Sequence, residues 1–368
     1  VSGAIWIAQQ AGYNNLLTFD MGGTSTDVSL VKNGRAAQSR ETTIGDVTVR
    51  ASSVDVRTVG AGGGSIAHVP ELTGALRVGP QSAGAEPGPA AYGKGGVEPT
   101  VTDANVALGY MPPDVRLGGD MKLRKDLALD AVKTIGDSLG LSVQEAAAGI
   151  CDIVNENMYG ALRLVSVEKG FDPRDFALIG FGGAGPLHAN ALGKLTNSWP
   201  VIIPPGPGVL CAYGDVTTTI QDEASMSFIR RFSDTNKKEV VQIFTDLAKK
   251  ASKTLDAEGV AKKNRATTYQ VDIRYHGQGL LITVDFDLSE LRRKGLNAIG
   301  KTFDEMHEQL FTFALPAEKE LVNLRSVVRD KALSVKAPSV PRGNYNPSGA
   351  FISKTKVFME GKNRFASL

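Results

Sequence analysis

Two carboxylates, two glycines and three hydroxyls crowd into one short stretch, Asp20-Met21-Gly22-Gly23-Thr24-Ser25-Thr26-Asp27. An apolar run, Leu16-Leu17-Thr18-Phe19, enters it and an alternating run, Val28-Ser29-Leu30-Val31, leaves it, so the spacing predicts a tight β-hairpin with polar residues at its tip. Successive N–H groups in such a turn form a concave anion nest, and glycines let phosphate oxygens approach the backbone. Gly22, Gly23, Thr24, Ser25 and Thr26 are therefore candidate phosphate holders, with an ordinary hairpin turn as the plain alternative. Asp20, at the strand end, is placed to hold a metal-bound water or orient a nucleophile, and Asp27 is a second acid for the same task. The stretch is not a P-loop, because no G-x-x-x-x-G-K-[ST] word is present.

A second glycine word, Gly180-Phe181-Gly182-Gly183-Ala184-Gly185, follows a predicted strand and precedes a predicted helix. It spells G-x-G-x-x-G, but a dinucleotide site also needs an acid about twenty positions on, and Trp199-Pro200-Val201-Ile202-Ile203-Pro204-Pro205 has none. The plain reading is a close strand–helix crossing that requires small residues. Gly60 to Ser65 is a third cluster, either a packing loop or a second anion nest. Asp103 falls where a helix N-cap belongs, with metal or substrate binding as its alternative. Glu86 sits in a Pro/Gly loop, where exposure is the plain reading. The four histidines show no metal-ligand spacing, and His188 either faces the turn or packs. Cys211 as a nucleophile needs a base that sequence cannot show.

The hairpin word resembles the second phosphate loop of the superfamily of actin, hexokinase and acetate kinase. The surrounding words are more specific: Thr58-Val59-Gly60-Ala61-Gly62-Gly63-Gly64-Ser65, Arg77-Val78-Gly79-Pro80-Gln81-Ser82-Ala83-Gly84-Ala85-Glu86-Pro87-Gly88, Pro99-Thr100-Val101-Thr102-Asp103-Ala104-Asn105, Gly170-Phe171-Asp172-Pro173 and Gly182-Gly183-Ala184-Gly185-Pro186-Leu187-His188. They are similar to the hydantoinase A/5-oxoprolinase family, densely to about residue 222 and thinly beyond. The resemblance implies an ATP- and Mg²⁺-dependent hydrolase that opens a cyclic amide such as 5-oxoproline, a substrate of glutathione metabolism, or a hydantoin. It implies Gly182, Gly183, Ala184 and Gly185 at adenosine, and Asp20, with Asp55 and Asp103, at the metal. It further implies a hydantoinase B-type subunit or fused domain and an oligomeric assembly. Arg57 stands where the family usually has histidine, which puts a metal role for Asp55 in doubt. The chain resembles a fragment without the family's first lobe, expected to be inactive alone. The rival readings are a small-molecule kinase of the same superfamily and a non-catalytic subunit.

The elements that must position these residues are legible in outline. With 41 basic against 39 acidic residues the net charge is +2, which does not suit a nucleic-acid or membrane-surface specialist. Two cysteines point to a reducing, cytoplasmic setting, and no apolar stretch reaches the length of a membrane span. Apolar periodicity predicts helices over 1–15, 127–139, 142–165 (opened by a Ser142/Glu145 capping box), 237–258 and 298–313. Strands are expected over 176–181, 201–203, 269–275, 280–286 and 320–328. The expected fold is α/β: an actin/hexokinase-like (ribonuclease H-like) lobe over 1–222, with a mixed sheet flanked by helices, then a smaller α+β domain over 223–368.

Overall fold

The computed structural model describes residues 1–39, 42–44, 46–49, 53–112, 116–331 and 346–367. Two compact units divide the chain: Val1–Val216 with Lys336–Leu368, and Thr217–Val335. The division falls between Val216 and Thr217, against the residue 222 of the sequence reading. The C-terminal segment, however, belongs to the first unit and not to the second domain as expected.

The first unit is built on a mixed sheet. Its central strand β1 (Leu16–Met21) pairs antiparallel with β2 (Thr26–Lys32), and β2 pairs with both β3 (Arg35–Ala36) and β4 (Arg57–Val59). On its other side β1 runs parallel to β5 (Ala177–Phe181), which is followed by β6 (Val201–Ile202). Alternation sorts the side chains onto two faces. Leu17, Phe19, Met21, Val28 and Leu30 face α2 (Val101–Ala107) and the long α4 (Val143–Val165), which offers Ile150, Val154, Met158 and Leu162. Leu16, Val31, Ile179 and Phe181 face α1 (Ser2–Gln10) and α6 (Leu210–Thr217) through Ala4, Ala8 and Leu210. Each large side chain so buried contributes about 2 kcal/mol. The Ser142/Glu145 capping box opens α4 as the sequence predicts. Between α2 and α4 lies α3 (Lys125–Leu139), and α5 (Gly185–Thr196) leaves β5.

The second unit is α+β. Its antiparallel sheet has the order β7 (Gln221–Arg231), β10 (Lys319–Asp330), β8 (Arg265–Tyr275), β9 (Ile282–Phe286). It packs with α7 (Lys237–Ala257), α8 (Leu288–Lys294) and α9 (Leu296–Phe311) around Phe244, Tyr275 and Phe303. The helix expected at 298–313 is α9; α8, which the sequence did not announce, precedes it, and the two are parted at Gly295, whose φ of 76° opens α9. The returning C-terminal hairpin, β11 (Lys354–Met359) and β12 (Lys362–Ser367), is tied to the first unit where Phe358 N–H donates to Leu108 O at 2.9 Å. Gly109 permits this approach, since a Cβ there would stand 2.3 Å from Lys356 O. No helix among the described residues is long and apolar enough to cross a membrane.

Candidate functional site

The parallel pairing of β1 with β5 sets Asp20 beside Phe181, so both glycine words emerge at the carboxyl ends of adjacent strands. Ala184 N–H donates to Met21 O at 2.9 Å, and a Cβ on Gly182 would lie 2.4 Å from Asp20 Oδ1. Two segments some 160 positions apart in sequence therefore form one mouth, at the sheet edge where open α/β folds place ligands.

At the hairpin tip, Gly22 N–H closes the turn on Ser25 O at 3.0 Å. Among the described residues the N–H groups of Gly23, Thr24 and Ser25 meet no acceptor in the protein. Gly23 and Thr24 are exposed. A Cβ on Gly23 would meet nothing within 4 Å, and one on Gly22 only Ser25 O at 3.8 Å. Neither residue has a positive φ. Packing and dihedral strain thus leave these two glycines unexplained, and the donors beside them are free. Thr26 differs from expectation. Its hydroxyl is buried and donates to Ala61 O at 2.5 Å beside Met158 Sδ, so it holds the hairpin down and does not face the mouth.

Across the mouth, Gly182 (φ 84°) is required by its backbone and by Asp20 and Met21, and Gly180 by the Phe19 ring. Gly185 is buried, with room for a Cβ at an ordinary 3.5 Å from that ring, and the Ala184 N–H is already engaged. Only Gly183 is exposed with open space before it. The close-crossing reading therefore holds for Gly180 and Gly182, and the ligand-facing reading narrows to Gly183 and the start of α5.

Asp20 and Asp27 are direct cross-strand partners, so their side chains share one face with Cβ atoms about 5 Å apart. Asp20 Oδ2 accepts from Cys211 Sγ at 3.4 Å, and Asp27 Oδ1 accepts from Thr58 Oγ1 at 2.6 Å. Each carboxylate keeps its other oxygen. Neither contact is signalled by the sequence, since only strand and helix packing delivers Cys211 and Thr58 to these carboxylates. Burial and the Asp20 charge push the Cys211 thiol up, which opposes a thiolate nucleophile at neutral pH.

Asp55 and Asp103 lie in other company. Asp55 is buried with Lys169 Nζ on Oδ2 and Arg57 Nε 3.7 Å from Oδ1. Arg57 thus serves the ion pair. Asp103 is not the N-cap but the third residue of a capping box closed by Thr100. Its buried carboxylate accepts from the N–H groups of Ala90 (3.3 Å), Ala91 (2.7 Å) and Thr100 (2.9 Å) and from Thr100 Oγ1 (2.7 Å). Burial pushes its pKa up while these donors pull it back. Neither acid has the vacant oxygens of a ligand, and among the described residues no cluster of three or more His, Cys, Asp or Glu is placed to hold a metal. The donor set does not make a protein-only cage. It does suit Mg²⁺ arriving with phosphates, which takes one or two carboxylates and keeps its waters. Glu86 is exposed, as its plain reading expects.

The third glycine cluster is a brace. Gly63 and Gly64 donate to Gly22 O (2.9 Å) and Gly23 O (2.6 Å), and a Cβ on Gly62 would stand 2.6 Å from Thr24 C. With those N–H groups spent on the hairpin, the packing-loop reading holds. Gly63 O in turn accepts from Thr102 N–H at 2.7 Å, fastening the brace to α2.

The family model for hydantoinase/oxoprolinase matches residues 1–224. The chain is 41% identical over 327 residues to caprolactamase subunit alpha of Pseudomonas jessenii, covering 88% of this chain and 47% of that protein. It is 34% identical to the acetophenone carboxylase gamma subunit of Aromatoleum aromaticum, over 97% of this chain and 50% of that one. The crystal structure of the ATP-dependent caprolactamase from Pseudomonas jessenii superposes with a TM-score of 0.89 at 38% identity, covering 97% of this chain and 52% of that chain. The chain therefore spans about half the length of these relatives. The match over residues 1–224 and the shared fold place it plainly: the chain belongs to the hydantoinase/oxoprolinase family.

Proposed function

We propose that this lobe grips the triphosphate of ATP and serves the ATP-driven ring opening of a cyclic amide, within the longer protein or complex that carries it. One observation carries the reading. Gly22, Gly23 and Gly183 border a single mouth, and no packing or dihedral demand accounts for them, while free N–H donors stand beside them. A lactam resists hydrolysis because resonance protects its carbonyl. In the proposed reaction the carbonyl oxygen bonds to the γ-phosphorus as the bond to ADP breaks. Water adds to the activated carbon, the ring C–N bond breaks as nitrogen takes a proton, and the acyl phosphate left behind hydrolyses to carboxylate and phosphate. Gly23, Thr24 and Ser25 hold the β- and γ-phosphate oxygens, and Gly183 with the α5 N-terminus lies against adenosine. Mg²⁺ bound with the triphosphate supplies charge neutralisation at the transferring group, and Asp20 and Asp27 would hold it through the oxygens left by Cys211 and Thr58.

Relatives named as subunits support a partner, of hydantoinase B type or as a fused domain. The reading is tested on the intact protein with its partner, supplied with ATP, Mg²⁺ and in turn 5-oxoproline, a hydantoin and caprolactam. ADP release matched by ring-opened acid is expected with one of them. A stable phosphorylated product would favour the kinase reading, bicarbonate-dependent turnover of a ketone would favour the chemistry named for the carboxylase relative, and no ADP release with any substrate would favour the non-catalytic one.

A further inference from the structure

Behind the two lips of the mouth lies a buried polar chain that the proposed reaction does not use. His188, in the first turn of α5, is 2% exposed. Its Nδ1 lies 2.8 Å from Asn155 Oδ1 on α4, and its Nε2 lies 3.2 Å from Asn105 Nδ2 on α2. Asn105 Nδ2 also donates to Val101 O at 3.0 Å, and Cys151 Sγ lies 3.8 Å from Asn105 Oδ1, which fixes the amide's orientation. Asn155 thus presents an oxygen and Asn105 an N–H. Only the neutral imidazole with its proton on Nδ1 satisfies both, and burial pushes the pKa down to about 4 to match. A packing histidine needs one partner at most. This one joins its own helix α5 to α4 and α2, and two of the three are tied to the mouth. Helix α5 follows the turn carrying Gly183, and α2 holds the Gly63 brace that supports Gly22 and Gly23.

We propose that His188 is a positioning residue: through Asn155 and Asn105 it locks the Gly183 turn and the braced hairpin tip in one register, and so sets the span between the two ends of a bound nucleotide. The inference rests on the nucleotide reading above. A misfit of this kind, far from the reacting atoms, costs up to about a hundredfold where geometry is demanding.

The test is calorimetric titration of the intact protein with ATP and Mg²⁺, well below the melting temperature. It separates two effects, since a structural role lowers the bound stoichiometry with the folded fraction and a positioning role raises Kd. His188→Leu keeps bulk and removes both hydrogen bonds, and should raise Kd about tenfold or more. His188→Gln can still bond to an asparagine amide and should stay within about threefold. Asn155→Ala cuts one bond from the α4 side and should raise Kd too, which keeps the test open should His188→Leu fail to fold. Gly23→Val, which blocks the tip directly, separates the two claims. Wild-type Kd in the folded His188 and Asn155 variants, beside lost binding in Gly23→Val, overturns the positioning role alone. Wild-type binding in Gly23→Val overturns the nucleotide reading itself.

Discussion

Two glycine clusters lie back to back in the first unit, and they differ in what a side chain would meet. At Gly62, Gly63 and Gly64 an added Cβ would fall within 2.6–2.9 Å of Thr24, Thr102 or Gly23. At Gly22 and Gly23 it would point into open space or barely touch Ser25. The first set exists for the protein, letting one loop lie on another. The second has no internal purpose, and its neighbouring N–H groups are unspent. Sequence alone makes the clusters look alike. The lesson is that a glycine speaks for a ligand only where neither packing nor a left-handed backbone already explains it.

The open side should lose function without losing its fold. Asp20→Asn keeps size and shape but removes the charge proposed to hold Mg²⁺. ATP turnover of the intact protein should fall by roughly two orders of magnitude, about 3 kcal/mol, with the melting temperature nearly unchanged. The braced side should respond to acid. His188 holds its pKa near 4 against the ordinary 6.5, so between those values the unfolded chain binds a proton that the folded one refuses. The cost of protonating it, about 3 kcal/mol when complete, is absent above pH 6.5 and builds as the pH falls toward 4. Denaturant melts across that window should show the loss, and His188→Gln should flatten it. Smaller still, Gly62→Ala forces the brace off the hairpin and should cost about 2 kcal/mol in the same melts. An unchanged midpoint would mean that the two loops do not depend on each other.

Much of this was legible in the residues. The hairpin, the strand before Gly182 and the capped helix α4 each carried a period or cap strong enough to place them. Helix α2 showed in the sequence only as a cap position at Asp103, because its seven residues are all buried, which erases the polar face that marks a helix. Helix α6 was hidden by a Pro/Gly run just before it, and β7 by exposed polar residues on an edge strand. The C-terminal hairpin was assigned to the wrong unit because a long-range backbone bond to Leu108 leaves no local trace. In the site, the convergence of Asp20 and Gly182 followed from the motifs. The Cys211 and Thr58 contacts, the Lys169 pairing of Asp55 and the fourfold saturation of Asp103 did not, because each depends on a residue delivered by tertiary packing.

The smallest expected change in stability belongs to the most telling variant. Gly23→Val adds a side chain where nothing stands within 4 Å of a Cβ, at a residue without positive φ, so unfolding free energy should move by no more than about 0.5 kcal/mol. The same side chain occupies the space through which a phosphate would reach the free N–H groups of Gly23, Thr24 and Ser25. Titration of the intact protein with ATP and Mg²⁺ decides the matter. An unaltered melt with ATP affinity reduced at least about tenfold is the result expected for a ligand-facing glycine; an unaltered melt with wild-type affinity would show that the hairpin tip is only a turn.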